Sequence, residues 1–207
     1  MFRVKICGLT RPEDVRACVE AGADAIGFQM SRGPRKITPQ AALKLTRRIP
    51  VGTLKVGVFV DEPVSHVTRI ARECGFDLVQ LHGNETALQC VATGLPVLKA
   101  IRMRNVKTPD RYASYPVAGL LLDRYNPKSH GGNGQSFDWS WARAAGRLRM
   151  PILLAGGLRP DNVAKAIRAA RPFGVDTASG VEVRPGIKDR RLISLFVHRA
   201  KAAFLQG

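Results

Sequence analysis

No apolar run in the 207-residue sequence approaches the ~20 residues a bilayer-spanning helix needs, which excludes a helical membrane span. Strand-like sequence begins by Arg3, leaving no room for a secretory leader, so a cytoplasmic location is expected. The four cysteines, Cys7, Cys18, Cys74 and Cys90, form no CxxC pair, which argues against a zinc knuckle and a compact disulfide framework. Free thiols in a reducing compartment are expected instead. Aromatic residues make up only 6% of the chain, too few to interleave a basic groove with base-stacking surfaces. Acidic residues are scarce too, 16 against 33 basic ones, for a formal net charge of +17. The basic residues are scattered over the whole chain, so the charge reads as solvated surface. Such a surface attracts anionic small molecules and, at low salt, nucleic acid without sequence preference. No specific nucleic-acid partner and no membrane partner is expected.

What is present is alternation. Short apolar segments at 3–7, 25–28, 54–60, 78–81, 97–101, 117–122 and 152–155, and an eighth from Val175, are separated by stretches of helical periodicity. Val67, Ile70, Ala71 and Cys74 fall at i, i+3, i+4 and i+7, as do Val163, Ala166, Ile167 and Ala170. Thr10 and Glu13 have the spacing of a capping box, with Val15, Cys18, Val19 and Gly22 following on one face; Thr38-Pro39 opens another helix. Residues 107–115 read as a weak helical stretch, a further helix begins near Trp139, and Leu192, Leu195, Phe196, Ala200 and Ala203 share the apolar face of the last. A Gly-x-Asp triplet recurs at Gly22, Gly75 and Gly174, each read as the place where a helix stops and a strand begins. Eight strands with about eight helices, in a chain of this length, predict a single α/β domain over 1–207. The expected architecture is a compact (β/α)8 TIM barrel with few insertions. A doubly wound open sheet is the alternative, but it carries its phosphate glycines after the first strand rather than after the seventh.

The stretch 151–182 organises the rest. Its apolar strand runs into Gly156-Gly157, where backbone N–H groups can approach an anion unobstructed by Cβ atoms. Pro160 suits the first turn of the helix that follows, and Gly174 is read as its end. The next strand ends at Ser179-Gly180, again small. Late in a barrel, two such turns one helix apart form a phosphate cup.

In a barrel of this kind the chemistry sits where the strands end, and those ends read Cys7, Gln29, Asp61, His82, Arg102, Asp123, Gly156 and Ser179. Several are polar or reactive groups directly after apolar runs. A lone strand-end cysteine is more often a small buried hydrophobe, and a strand-end aspartate beside an arginine is often a turn residue. The loop at 124–137, with Gly131, Gly132 and Gly134, is expected to be a mobile cover.

Read together, KICGLT at 5–10, residues 31–35, QLHG at 80–83, Leu122-Asp123, GGNG at 131–134, AGGL at 155–158, residues 176–182 and PGIKD at 185–189 resemble phosphoribosylanthranilate isomerase of tryptophan biosynthesis. The resemblance spans essentially the whole chain. It implies an Amadori rearrangement of N-(5'-phosphoribosyl)anthranilate to 1-(2-carboxyphenylamino)-1-deoxyribulose 5-phosphate, with no metal and no organic cofactor. The substrate it implies is a small phosphorylated molecule, and the assembly a monomer or homodimer. Asp123 is then the acid that opens the furanose ring and Cys7 the base that removes the C2 proton. Arg35 faces the anthranilate carboxylate, while Gly156, Gly157, Ser179 and Gly180 hold the phosphate. Gln80 and His82 line the site or serve structurally, and Asp176 orients the cup. Two departures stand out, Asn133 in the glycine loop and Thr177-Ala178 before Ser179. Lys5 shares the inward face of its strand with Cys7, so its ammonium is expected to favour the thiolate. The nearest rival is another phosphosugar isomerase on the same barrel, which uses two aspartates instead of a cysteine. A basic nucleic-acid-binding protein is the rival of a different class.

Overall fold

The computed structural model describes residues 1–103, 110–124 and 139–206. Eight parallel strands close in chain order: β1 (Val4–Cys7), β2 (Ala25–Gln29), β3 (Leu54–Phe59), β4 (Leu78–Leu81), β5 (Val97–Met103), β6 (Gly119–Arg124), β7 (Ile152–Leu154) and β8 (Gly174–Thr177), with β8 pairing back onto β1. Around them lie α1 (Pro12–Glu20), α2 (Pro39–Thr46), α3 (Val64–Cys74), α4 (Ala87–Ala92), α5 (Ser140–Ala145), α6 (Val163–Ala170) and α7 (Arg190–Leu205). This is the closed barrel expected from the alternation. The triglycine loop and the start of the 107–115 stretch lie outside the described residues; the described part of that stretch holds a 3-10 turn at Asp110–Tyr112. No helix of the described residues is long and apolar enough to cross a membrane.

Two apolar clusters account for the closure. The larger lies between the strands' outer faces and the helices; the smaller fills the barrel interior with Phe2, Ala25, Val56, Leu78, Leu98, Ala100, Leu121, Leu153 and Ala155. Because strand side chains alternate, the inward column continues two residues on from Leu78 to Gln80 and from Leu121 to Asp123. On β1 the inward pair is Lys5 and Cys7, whose partners across the ladder are Ala25 and Gly27. The interior is thus apolar low down and polar at the strands' C-terminal ends.

Local periodicity was a faithful guide where one face meets the barrel. The four residues picked out on α3 and the four on α6 are the buried ones. On α7 the stripe is rotated, with Ile193 and Val197 buried in place of Leu192 and Leu195. Other local readings gave way to tertiary contacts. Thr10 does not cap α1; its hydroxyl donates to Gly186 O at 2.5 Å. Pro160 lies in a turn ahead of α6, whose cap position is Asn162. Gly174 does not end α6, since Arg171 does so in a left-handed conformation. Gly174 opens β8, where a Cβ would meet Phe2 O at 2.6 Å. The Gly-x-Asp repeat is therefore two equivalent turns and one coincidence. Asp24 and Asp77 accept backbone N–H groups at the starts of β1 and β3, whereas Asp176 points into the barrel. One element was not anticipated, an antiparallel hairpin of β9 (Glu182–Arg184) and β10 (Ile187–Lys188) after β8.

Buried thiols make stability pH-dependent. Burial pushes Cys18 up to about 12 and Cys74 up to about 11, against roughly 8.5 for an exposed thiol. Between those values the unfolded chain loses protons that the folded one keeps, so folding stability is full below the unfolded value and falls as pH rises toward the folded one. Melts from pH 8 to 11 should show a falling midpoint. Cys18→Ala should remove about 1.4 kcal/mol per pH unit from that slope.

Candidate active site

An open cavity of about 690 Å³, its mouth included, lies at the C-terminal ends of the strands. Cys7, Gln29, Arg35, Gln80, His82, Asp123, Gly156, Gly157, Asp176 and Ser179 all line it. Its apolar side comes from Val58, Val60 and Ala155. Two strand-end residues picked out by sequence are elsewhere. Asp61, itself at a positive φ of 51°, accepts the Asn84 N–H at 2.6 Å, and Arg102 donates to the His82 carbonyl at 2.8 Å. Gly180 is not among the lining residues. It lies in a short 3-10 turn where a Cβ would collide with the Leu158 carbonyl, so its smallness serves the packing of the two cup loops. Gly156 and Gly157 take consecutive positive φ values of 82° and 79°, which L side chains rarely adopt.

Cys7 stands at the top of β1 with Lys5 below it. The Lys5 ammonium is fully buried and donates to Asp176 Oδ1 at 2.8 Å, across the β1–β8 pair. Burial draws Lys5 down, but Asp176 and Cys7 outweigh it and hold the ammonium above its ordinary range. The Lys5 ammonium favours the thiolate, as expected, but other influences outweigh it. Burial is the largest influence on Cys7 and raises it; Lys5 and Lys188 oppose this, and the Asp176 carboxylate adds to it. The net result is a thiol above its usual range, because burial, with the Asp176 carboxylate beside it, outweighs the two ammonium groups.

Gly27, which sequence reading passed over, makes room for both side chains. A Cβ there would lie 2.8 Å from Cys7 Sγ and 3.1 Å from Lys5 Cε. Gly27→Ala is expected to displace the sulfur and cost roughly 10²-fold in kcat/KM, the scale of an ångström's misplacement. Steady-state kinetics beside an unchanged far-UV circular dichroism spectrum checks this.

Asp123, near the end of β6, is held by His82. Gln80 Nε2 lies 2.8 Å from His82 Nδ1, and His82 Nε2 lies 3.1 Å from Asp123 Oδ2. With the amide nitrogen donating to Nδ1, Nε2 carries the ring proton and donates to the carboxyl group. Behind this relay, Lys99 and Glu85 form a buried pair at 2.9 Å. Lys99 also donates to the Leu81 and Gly83 carbonyls, and Glu85 accepts from the Gly83 and Asp61 N–H groups, which fixes the turn that carries His82.

Arg35 reaches the cavity from the loop after β2, its stem lying over Gly8, where φ is +76° and a Cβ would collide with it. Its Nε and Nη2 donate to the two oxygens of Glu182 at 2.8 and 2.7 Å, and that carboxylate hydrogen bond holds the guanidinium above its ordinary range. Burial raises Glu182, but Arg35 and Lys188 together bring it below the usual carboxylate range. Glu182 and Lys188 were visible in the sequence only as letters of a motif. Among the described residues no group of three or more His, Cys, Asp or Glu is placed to hold a metal ion.

The comparisons with known proteins agree. The model of the N-(5'-phosphoribosyl)anthranilate isomerase family matches residues 4–199. The chain is 47% identical over 204 residues to an N-(5'-phosphoribosyl)anthranilate isomerase from Trichlorobacter lovleyi, covering 98% of this chain and all of that one. Among solved structures it is similar to the phosphoribosylanthranilate isomerase of Thermotoga maritima, with 38% identity and a TM-score of 0.89, covering 98% of this chain and all of that one. A third relative, 37% identical with a TM-score of 0.87 and the same coverage, was solved with reduced 1-(o-carboxyphenylamino)-1-deoxyribulose 5-phosphate bound.

Proposed function

This chain belongs to the N-(5'-phosphoribosyl)anthranilate isomerase family, and we propose that Cys7 and Asp123 carry its reaction as base and acid. The reaction is the Amadori step of tryptophan biosynthesis. Asp123, protonated, gives its proton to the furanose ring oxygen as the C1–O bond breaks and the anthranilate nitrogen lone pair forms a C=N bond. The Cys7 thiolate then removes the C2 proton, and the electron pair forms C1=C2 while the nitrogen regains its lone pair. Tautomerisation of that enol gives the aminoketone. Acid and base of this kind each supply about 10²-fold to 10⁴-fold when held within hydrogen-bond reach.

The observation that carries the proposal is the convergence of both groups on one cavity, beside the glycine pair. The other residues picked out for the site have parts too. Gly156, Gly157, Ala178 and Ser179 receive the phosphate at the loops after β7 and β8, chiefly through backbone N–H groups. Gly180 lets those loops meet, and Asp176 keeps Lys5 beneath the base. Arg35 takes the substrate's ring carboxylate. Gln80 and His82 hold Asp123 facing inward. The ligand is thus a phosphorylated small molecule, as in the solved relative. A cytoplasmic setting suits four thiols that form no disulfide. One relative from Thermotoga maritima is described as dimeric, and sedimentation separates a monomer from a homodimer for this chain. The decisive test forms the substrate in situ and follows the loss of its fluorescence with Cys7→Ala and Asp123→Asn.

A further inference from the structure

We propose that Glu182, fixed by Lys188, is a positioning residue that makes the enzyme selective for an aryl carboxylate by locking the Arg35 fork in one orientation. This rests on the reading of Arg35 as the carboxylate's partner. The geometry supports a division of the guanidinium between two acids. Glu182 occupies the Nε–Nη2 edge, at 2.8 and 2.7 Å. The Nη1–Nη2 edge remains, and it has the spacing to take a second carboxylate side-on.

Glu182 is in turn immobile. Its side chain is 4% exposed, and its Oε1 also accepts from Lys188 Nζ at 2.8 Å and from Gly186 N–H at 3.2 Å. The Lys188 side chain is fully buried. Its remaining two donors go to the carbonyls of Cys7, at 2.6 Å, and Ala178, at 2.9 Å. A single ammonium therefore ties together the strand end bearing the base, the loop of the phosphate cup and the counterion of Arg35. Arg35, Glu182 and Lys188 sum to one positive charge in a largely desolvated place. One aryl carboxylate neutralises it, whereas an uncharged ring leaves it uncompensated. This explains why the chain builds the hairpin of β9 and β10 beyond the eighth strand: its bulged register brings Lys188 opposite Glu182.

The test compares two substrates, formed by condensing ribose 5-phosphate with anthranilate or with aniline, which lacks the carboxylate. Products are quantified by chromatography, and the readout is the ratio of kcat/KM between the two. In Glu182→Gln, which keeps shape but loses one acceptor and the charge, this ratio should fall roughly 10-fold to 10²-fold, mostly through KM for the carboxylated substrate. An unchanged ratio, or an equal loss on both substrates, overturns the proposal, the latter because it marks a merely structural role. Arg35→Met serves as the control on the underlying reading. If it keeps the wild-type ratio, Arg35 does not read the carboxylate and both claims fall; if it loses the ratio while Glu182→Gln keeps it, only the role of Glu182 falls. Should Glu182→Gln not fold, Glu182→Asp decides. It keeps the charge but withdraws the carboxylate from the fork, so the ratio should fall in the same direction, and a wild-type ratio would overturn the proposal.

Discussion

Cys7→Ala should lower kcat/KM by roughly 10³-fold to 10⁴-fold with the fold intact, the loss expected when a positioned base is deleted. The fold should survive because the sulfur borders the cavity instead of filling the apolar core. The pH dependence carries a second mark of the same thiol. In the proposed mechanism only the thiolate accepts the C2 proton, and burial sets Cys7 above its ordinary range even though Lys5 and Lys188 pull the other way. At neutral pH the thiolate is therefore the minor form. Because the acid must be protonated while the base is ionised, the wild-type profile reflects both groups, and the thiol's own limb is exposed in Asp123→Asn, where kcat/KM should climb with pH through neutrality and into the alkaline range. A flat profile in that variant, or an alanine variant within tenfold of wild type, would remove Cys7 from the mechanism.

Asp123→Asn should cost roughly 10²-fold to 10⁴-fold, chiefly in kcat. The substitution preserves shape, and its amide oxygen can still accept from His82 Nε2, which lies 3.1 Å from the carboxyl group. What it removes is the ability to protonate a leaving ring oxygen. Since Cys7 is untouched, the residual activity should still rise toward alkaline pH, and this separates loss of the acid from a collapsed site. A variant with near-normal kcat would show that ring opening needs no carboxylic acid here.

Both variants bear on atoms brought together from different scales of the chain. Residues within one helix or one strand were legible early. The stripes on α3 and α6 follow from a 3.6-residue period against a flat apolar layer, and nothing distant competes with that local rule. Where something distant does compete, the local rule failed. Thr10 gave up its capping role for a carbonyl 176 residues away, and Asp176 left the Gly-x-Asp pattern to pair with a lysine 171 residues away. Cys7 and Asp123 were recognisable because each ends an apolar run, and inward alternation aims both at the barrel mouth.

The order of apolar segments and helical stripes determined the barrel, because alternating β and α units of this length bury their apolar faces by closing the sheet on itself. Family motifs at the strand ends marked out most of the cavity's lining as well. Only the tertiary structure decided the charges. That Lys5 pairs with Asp176 beneath the thiol, and that Arg35 is already gripped by Glu182, depends on partners 171 and 147 residues away. An ion's behaviour is set by burial and by its nearest counter-charge within a few ångströms, and no linear pattern encodes that distance.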